Sequence, residues 1–199
     1  IDKDNIILIL GDNIFYGDDI SNILKQSVNK VNKINKSIIF GYQVADPSQY
    51  GVVEVNNDNQ ILSIQEKPQF PKSNISVTGL YIYPNDAVDL CKSLKPSNRG
   101  ELEITDLNNI FLQQDRLELQ ELSRGSAWFD MGTPDSLLDA SNFIQTIEKR
   151  QGLKIACIEE IALRQNFIDV VQFKNIINFN SKNYYNDYLK SILNEYTKP

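Results

Sequence analysis

Two aspartates stand at positions where carboxylates could hold a divalent metal ion. Asp12 follows the apolar run Ile6–Leu10, and Asp130 ends the short segment Ala127–Asp130 far along the chain. An unbroken apolar run is typical of a strand buried on both faces of a mostly parallel sheet, and ligands gather beyond the carboxyl ends of such strands. Two aspartates at one sheet edge could share a Mg²⁺ ion with substrate phosphates. Each aspartate alone is equally typical of a turn or a helix cap.

A charged pair followed by proline forms a second candidate group, Glu66-Lys67-Pro68. A carboxylate at position 66 can accept hydrogen bonds from two adjacent sugar hydroxyls, and an ammonium at position 67 can neutralise a phosphate oxygen. The alternative is a solvated turn, which the spacing alone favours.

Further candidates are single residues beside glycines. The Arg99 guanidinium offers a fork of hydrogen-bond donors close in sequence to the Glu101 carboxylate, which is an acceptor. The alternative is that both belong to an ordinary surface loop. Gly51 and Gly79 would let a sugar ring lie against the main chain, although a bulge or a tight turn explains them as well. Trp128 is the only tryptophan, and core packing is its more common role.

Composition excludes several classes of function. The chain has 199 residues with 41% hydrophobic content, which is enough for an ordinary globular core. A net charge of −6 without a basic cluster disfavours nucleic-acid binding. Histidine is absent, so no imidazole can act as base or metal ligand, and Cys91 and Cys157 alone do not make a zinc site. No apolar run is long enough to span a membrane, no signal peptide is visible, and no Gly-rich phosphate loop occurs. We therefore expect a cytoplasmic protein.

Strands alternate with helices before a helical tail. The residue pattern predicts strands at Ile6–Leu10, Ser37–Gln43, Val52–Val55, Ile61–Gln65, Val77–Tyr83, Leu117–Leu122 and Ala127–Asp130. It predicts helices from Ile20, over Asp86–Leu94, from Ile104 to Gln113, from Pro134 to Arg150 and throughout the tail from Glu159. This order indicates an α/β fold with an appended helical part.

Together these segments resemble the sugar-phosphate nucleotidylyltransferases, most closely those that transfer a thymidylyl group to glucose 1-phosphate. The matching segments keep their order and spacing over nearly the whole chain. They are Leu10–Gly17, Tyr50–Glu54, Glu66–Pro68, Val77–Tyr81, Arg99–Asp106, Ala127–Thr133, Ala140–Phe143 and Arg150–Lys154.

The resemblance implies a Rossmann-like nucleotidyltransferase fold with a mixed sheet, in which residues 1–150 form the core and residues 151–199 a C-terminal helical extension. The family's N-terminal Gly-rich segment, which grips the nucleotide, has no counterpart here. The resemblance therefore implies that the chain is about the last two thirds of an enzyme and is inactive alone. It also implies a homo-oligomer, most simply a tetramer.

The implied reaction converts dTTP and glucose 1-phosphate into dTDP-glucose and pyrophosphate, the entry to dTDP-rhamnose. It requires Mg²⁺, held by Asp12 and Asp130, with Lys67 on the sugar phosphate. The implied substrate-binding residues are Tyr50, Gly51, Glu66, Lys67, Val77, Tyr81, Arg99, Glu101, Ile104 and Trp128. A second, regulatory nucleotide site is implied at Tyr16, Gly17, Lys154, Glu160, Ile161 and Arg164.

Two rival functions stay open at this point. One is uridylyl or guanylyl transfer to another hexose 1-phosphate, because the residues that read the base lie mostly in the missing segment. The other is a non-catalytic module that binds a nucleotide or a sugar phosphate, which would explain the absence of a phosphate loop without truncation.

Overall fold

A computed structural model describes residues 2–97, 100–179 and 183–197 of the chain, so the candidate Arg99 lies outside the described residues. The chain divides into two compact units, Ile1–Leu137 and Leu138–Pro199. The division falls within one long helix, Pro134–Gln151. The domain boundary expected after residue 150 stays a prediction.

The first unit is built on strands and a few helices. Its strands are β1 (Ile6–Ile9), β2 (Asn13–Tyr16), β3 (Ser37–Gln43), β4 (Gly51–Val55), β5 (Ile61–Glu66), β6 (Ile75–Tyr83), β7 (Leu117–Glu121) and β8 (Ala127–Asp130). Its helices are α1 (Ile20–Ile34), α2 (Ala87–Cys91), α3 (Ile104–Gln113) and the start of α4 (Pro134–Gln151).

A mixed six-stranded sheet organises this unit. Five strands follow the order β5-β4-β6-β3-β7, and β1 also pairs with β6. The neighbours of β6 all run antiparallel to it, whereas β3 and β7 run parallel. Strands β2 and β8 form a separate antiparallel ribbon. The mixed α/β fold expected from the sequence is confirmed.

Strands β3 and β6 are buried on both faces. One face packs against α2 and α3 through Ala87, Leu107 and Phe111, and the other packs against α1 through Val31 and its neighbours. Burying each large apolar side chain contributes roughly 1.5–3 kcal/mol. The middle of the sheet is therefore a rigid base for any side chain that β6 positions.

The first strand corrects the expectation of double burial and of a mostly parallel sheet. Ile6 and Leu8 pack against the core, but Ile7 and Ile9 are each 55% exposed. Successive side chains of a strand point to opposite faces, and only one face of β1 meets the helical layer. The apolar run predicted the strand to within one residue, since β1 ends at Ile9 and not at Leu10, but it did not predict the strand's surroundings.

The predicted elements exist with small shifts of their ends, apart from one strand that the pattern missed. β2 occupies Asn13–Tyr16, a stretch to which the pattern assigned no strand. Four residues of mixed polarity carry no strand periodicity, and this strand exists because it pairs with β8, which is distant in sequence.

The second unit holds the rest of α4 and three shorter helices, α5 (Ile158–Arg164), α6 (Val170–Phe179) and α7 (Tyr184–Tyr196). Their core includes Leu163, Phe173 and Leu189. Asn183 caps α7 by accepting a hydrogen bond from the Asn186 amide at 2.8 Å. Among the described residues, no helix combines the length and the apolar character that crossing a membrane requires.

Candidate functional site

The ribbon of β2 and β8 brings the two aspartates together. Asn13 pairs with Asp130 in its register, and the Met131 amide donates to the carbonyl oxygen of Asp12 at 2.8 Å. Asp12 and Asp130 therefore lie side by side at one end of the ribbon, and both line the same cavity.

The two carboxylates influence each other electrostatically. Burial raises the pKa of the Asp130 carboxyl, and the negative charge of Asp12 raises that pKa further. The Gly132 amide and the charge of Lys67 act in the opposite direction. Two neighbouring carboxylates that repel each other are a favourable place for a divalent cation, because the cation relieves their repulsion.

The donor set fits a Mg²⁺ ion that shares its coordination with a substrate. Both candidate ligands are hard carboxylate oxygens, which Mg²⁺ prefers, and this ion commonly takes only one or two protein carboxylates. The described residues contain no group of three or more His, Cys, Asp or Glu side chains that could hold a metal. Phosphate and water oxygens would then complete the octahedron.

The shared cavity has a volume of about 180 Å³. The predicted residues that line it are Asp12, Tyr50, Gly51, Glu66, Lys67, Val77, Tyr81, Ile104, Trp128 and Asp130. Gly79, which the sequence suggested as a point of close approach to the main chain, also lines it. Four further lining residues were missed from the sequence, namely Leu10, Asn13, Gln49 and Thr105. Glu101 is exposed and is not among the lining residues.

The end of β5 carries the charged pair into this cavity. Glu66 accepts a hydrogen bond from the Thr105 hydroxyl at 2.6 Å. The Lys67 amide donates to the Tyr50 carbonyl at 3.0 Å, which extends the β4–β5 ladder by one bond. Lys67 has a φ of 41°, in the left-handed region that favours glycine. Such a backbone costs on the order of 1–3 kcal/mol and persists only where the surroundings hold it.

Aromatic rings form one wall of the cavity. Trp128 is 8% exposed, and its ring meets the edges of Tyr50 and Tyr42 at centroid distances of 5.0 and 5.9 Å. Burial, followed by the charge of Glu66, raises the pKa of Tyr81 above its ordinary value. The Tyr81 hydroxyl is therefore protonated at neutral pH and can donate a hydrogen bond to a phosphate or a sugar oxygen.

Asn13 connects this wall to the aspartates. Its Oδ1 accepts hydrogen bonds from the Trp128 indole at 2.6 Å and from the Gly79 amide at 3.0 Å. Its Nδ2 donates to Asp12 Oδ1 at 2.9 Å. The only feature of the sequence that marked Asn13 was its place directly after Asp12. Nothing in the spacing predicted its contacts with Gly79 and Trp128.

The residues predicted for a regulatory site are found in both units. In the first unit, Tyr16 ends β2, and Gly17 lies so close to Ser126 that a Cβ on the glycine would stand 3.1 Å from the serine Oγ.

In the second unit, both predicted cations already have acidic partners. Lys154 pairs with Glu148, and Arg164 Nε donates to Glu160 at 2.8 Å. Ile161 is 47% exposed. An anionic ligand at Lys154 or Arg164 would therefore have to compete with these carboxylates.

The cavity can position a substrate and neutralise its negative charge. It contains no nucleophile activated by histidine, because the chain has no histidine. Two carboxylates for a cation and one ammonium surround a space lined by hydrogen-bonding groups. In-line transfer of a phosphoryl-type group depends chiefly on these two effects.

Comparisons with known proteins give a matching family model and several relatives. A family model described as nucleotidyl transferase matches residues 1–147. The glucose-1-phosphate thymidylyltransferase of Neisseria meningitidis is 47% identical over 193 residues, which are 97% of this chain and 66% of the relative. A protein of the same name from Mycobacterium tuberculosis has the same identity and coverage. The chain thus spans slightly less than two thirds of the length of these curated relatives.

Two solved structures are similar to this chain in fold. A Bacillus anthracis protein described as a glucose-1-phosphate thymidylyltransferase and solved with sucrose is 40% identical, with a TM-score of 0.62 over 71% of this chain and 55% of that chain. A UDP-glucose pyrophosphorylase solved with UDP-glucose is 27% identical, with a TM-score of 0.64 over 73% of this chain and 58% of that chain.

Proposed function

The chain belongs to the nucleotidyl transferase family, and from this premise we propose that it carries the sugar-phosphate site of a glucose-1-phosphate thymidylyltransferase. The complete enzyme transfers a thymidylyl group from dTTP to glucose 1-phosphate and releases pyrophosphate. The observation that carries the proposal is the cavity in which Asp12 and Asp130 lie side by side with Lys67. The names of the relatives, at 47% identity, support the choice of substrates.

Each group around the cavity has a chemical role in this proposal. Asp12 and Asp130 would hold Mg²⁺, which would supply positive charge to the phosphate oxygens. Lys67 neutralises the phosphate of glucose 1-phosphate. Glu66, which Thr105 holds in place, accepts hydrogen bonds from two sugar hydroxyls. Gly51 keeps space for the ring, because a Cβ there would stand 3.4 Å from both Glu66 Oε2 and Thr105 Oγ1.

The remaining predicted lining residues shape the site. Tyr50 and Trp128 form its aromatic wall, Val77 and Ile104 its apolar surface, and Tyr81 donates a hydrogen bond. Arg99 and Glu101 stay predictions for the same site, since Arg99 is outside the described residues and Glu101 is not a lining residue.

The bond changes need no covalent enzyme intermediate. A phosphate oxygen of the sugar phosphate attacks the α-phosphorus of dTTP and forms a new P–O bond. The bond between the α-phosphorus and the bridging oxygen breaks in line, and pyrophosphate leaves with that electron pair. The attacking phosphate is already anionic at neutral pH, so no histidine base is required.

The decisive experiment measures pyrophosphate release by the complete gene product with glucose 1-phosphate, Mg²⁺ and dTTP. We expect Asp130→Asn to abolish turnover while its far-UV circular dichroism stays that of the wild type. The matched control is Asp135→Asn in the exposed first turn of α4, which should keep wild-type rates. Wild-type rates from Asp130→Asn would refute the assignment.

The structural similarity to UDP-glucose pyrophosphorylase favours one rival, uridylyl transfer to glucose 1-phosphate or to another hexose 1-phosphate. A panel of dTTP, UTP and GTP with the complete protein separates the rivals by their values of kcat/KM. A preference for UTP or GTP would replace thymidylyl transfer, and the absence of turnover with every nucleotide would favour the non-catalytic binding module.

We further propose a cytoplasmic homo-oligomer, most simply a tetramer, with a regulatory nucleotide site that uses Tyr16, Gly17, Lys154, Glu160, Ile161 and Arg164. Light scattering of the complete protein tests the oligomeric state. Inhibition by a dTDP-sugar that is not competitive with glucose 1-phosphate would support the second site, and purely competitive inhibition would contradict it.

A further inference from the structure

We propose that Asn13 is a positioning residue that holds the Asp12 carboxylate in the orientation for metal binding and couples it to Trp128. This inference rests on the metal site of the proposed function. Asn13 contacts three other residues that line the cavity, Asp12, Gly79 and Trp128, through its one amide group.

Three of the four hydrogen-bonding positions of the Asn13 side-chain amide are occupied. Oδ1 has two lone pairs and accepts from the Gly79 amide and the Trp128 indole, while Nδ2 gives one hydrogen to Asp12. The orientation of the amide is therefore fixed, because exchanging oxygen and nitrogen would place an N–H group against two other N–H groups. It would also turn an acceptor toward the Asp12 carboxylate.

The close approach to β6 makes this arrangement specific. A Cβ on Gly79 would stand 2.6 Å from Asn13 Oδ1 and 2.8 Å from its Nδ2. The amide thus lies flat on the backbone of a buried central strand, which only glycine allows. Asn13 is held by β6 on one side and by β8 on the other.

Asp12 depends on this anchor more than Asp130 does. Asp130 accepts a hydrogen bond from the Gly132 amide at 3.2 Å. The Asp12 carboxylate is exposed, and within the described part of the chain its hydrogen bond comes from Asn13. Without that bond, the Asp12 side chain would rotate among several conformers, and a metal would have to restrict it on binding.

The first measurement is Mn²⁺ affinity of the 199-residue chain, with the free ion followed by electron paramagnetic resonance. Loss of a residue that orients a metal ligand typically weakens the metal about 10–100-fold, and we expect Asn13→Ala to fall in this range. The matched control is Asn22→Ala, since Asn22 also donates to an aspartate, Asp19, at 3.1 Å on an exposed surface. The control should bind Mn²⁺ like the wild type.

The second measurement uses the only tryptophan of the chain. Trp128 emission reports whether the Asn13 anchor is intact, because Oδ1 accepts from the indole. Asn13→Ala should shift the emission to longer wavelength, whereas Asn13→Asp retains acceptor oxygens for both N–H groups and should keep the wild-type emission.

A third measurement needs no variant and covers the case in which Asn13→Ala fails to fold. The single indole N–H resonance of the wild type should move as Mg²⁺ is added, since the metal acts on Asp12 and, through Asn13, on Trp128. A resonance that does not move at saturating Mg²⁺ overturns the coupling.

The outcomes separate this inference from the proposed function. If the wild type binds no Mn²⁺, the metal site fails and the inference fails with it. If the wild type binds Mn²⁺ and folded Asn13→Ala binds it equally well, the metal site stands and only the role of Asn13 is overturned.

Discussion

The Thr105 hydroxyl donates a hydrogen bond to Glu66 Oε2 at 2.6 Å and thereby joins the first turn of α3 to the last residue of β5. Thr105 is 5% exposed, so this bond is shielded from water. It fixes the orientation of the Glu66 carboxylate in the cavity.

Replacing Thr105 by valine should therefore weaken sugar-phosphate binding without altering the fold. Hydrogen bonds to charged groups contribute roughly 1.5–3 kcal/mol, and about 1.4 kcal/mol corresponds to a tenfold change in affinity. We expect the KM of the complete protein for glucose 1-phosphate to rise about tenfold or more. Thr105→Ser keeps the hydroxyl and should stay near the wild type, and equal KM values for valine and serine would contradict the prediction.

Gly79→Ala should displace the Asn13 amide, because the added methyl group would overlap both polar atoms of that side chain. Overpacking in a well-filled region costs about 1–3 kcal/mol. We expect a lower free energy of unfolding in urea together with weaker Mn²⁺ binding. Gly125→Ala is the matched control, since its Cβ would meet only Ser123 Oγ at 3.9 Å. Similar losses in both variants would show that the contact with Asn13 is unimportant.

Arg116 connects separate parts of the first unit. It forms two hydrogen bonds with the Asp86 carboxylate at 2.7 and 3.0 Å, donates to the Asn35 carbonyl at 3.0 Å and lies over the Phe111 ring. Arg116→Met should reduce the free energy of unfolding by about 1–2 kcal/mol, because several anchored contacts are lost together.

An exposed pair provides the comparison for Arg116. Lys92 and Asp89 are three residues apart, with side chains 72% and 81% exposed. Surface pairs of this kind contribute little, so Lys92→Met should leave the urea midpoint close to that of the wild type. Equal effects of the two substitutions would mean that the geometry around Arg116 contributes nothing.

Alkaline pH should weaken the helical unit through Tyr188. Burial, followed by its hydrogen bond to Glu160, raises the pKa of Tyr188 from 10.0 to about 12. A raised pKa means that the folded state holds the proton more tightly, so the stabilisation is complete below pH 10 and is lost as the pH rises towards 12. Thermal unfolding between pH 8 and about 12 should therefore show a smaller pH dependence for Tyr188→Phe than for the wild type.

Tyr196→Phe is the control for this pH dependence, since Tyr196 lies on the same helix and is 42% exposed. Its pH profile should follow that of the wild type. If Tyr188→Phe also follows the wild-type profile, the buried hydroxyl is not the titrating group.

Secondary structure was largely predictable because its signals are local. The helical spacing of α1 and the alternation in β4 and β5 depend only on neighbouring residues, and the structure has all three elements. The helix start at Pro134 has an equally local signal, because the hydroxyl of the preceding Thr133 caps it by accepting from the Ser136 amide at 3.1 Å.

Pairing was much less predictable because it depends on residues far apart in the chain. Neither the β2–β8 ribbon nor its register could be deduced, and for this reason the role of Asn13 and its contact with Gly79 were missed. Thr105 was missed because its hydroxyl meets Glu66 only after α3 has packed on β5. Asp12 and Asp130 were proposed as a pair because each stands at the end of a predicted strand, and the resemblance to a family implied the same two residues as metal ligands.

The left-handed backbone at Lys67 restricts which residues could replace it. Glycine would fit this φ of 41° without strain and would stabilise the fold by about 1 kcal/mol, yet it carries no cation. Arginine would keep a positive charge but would also keep the backbone strain. A glycine at this position would therefore raise the stability of the fold but would remove an ammonium group from the lining of the cavity.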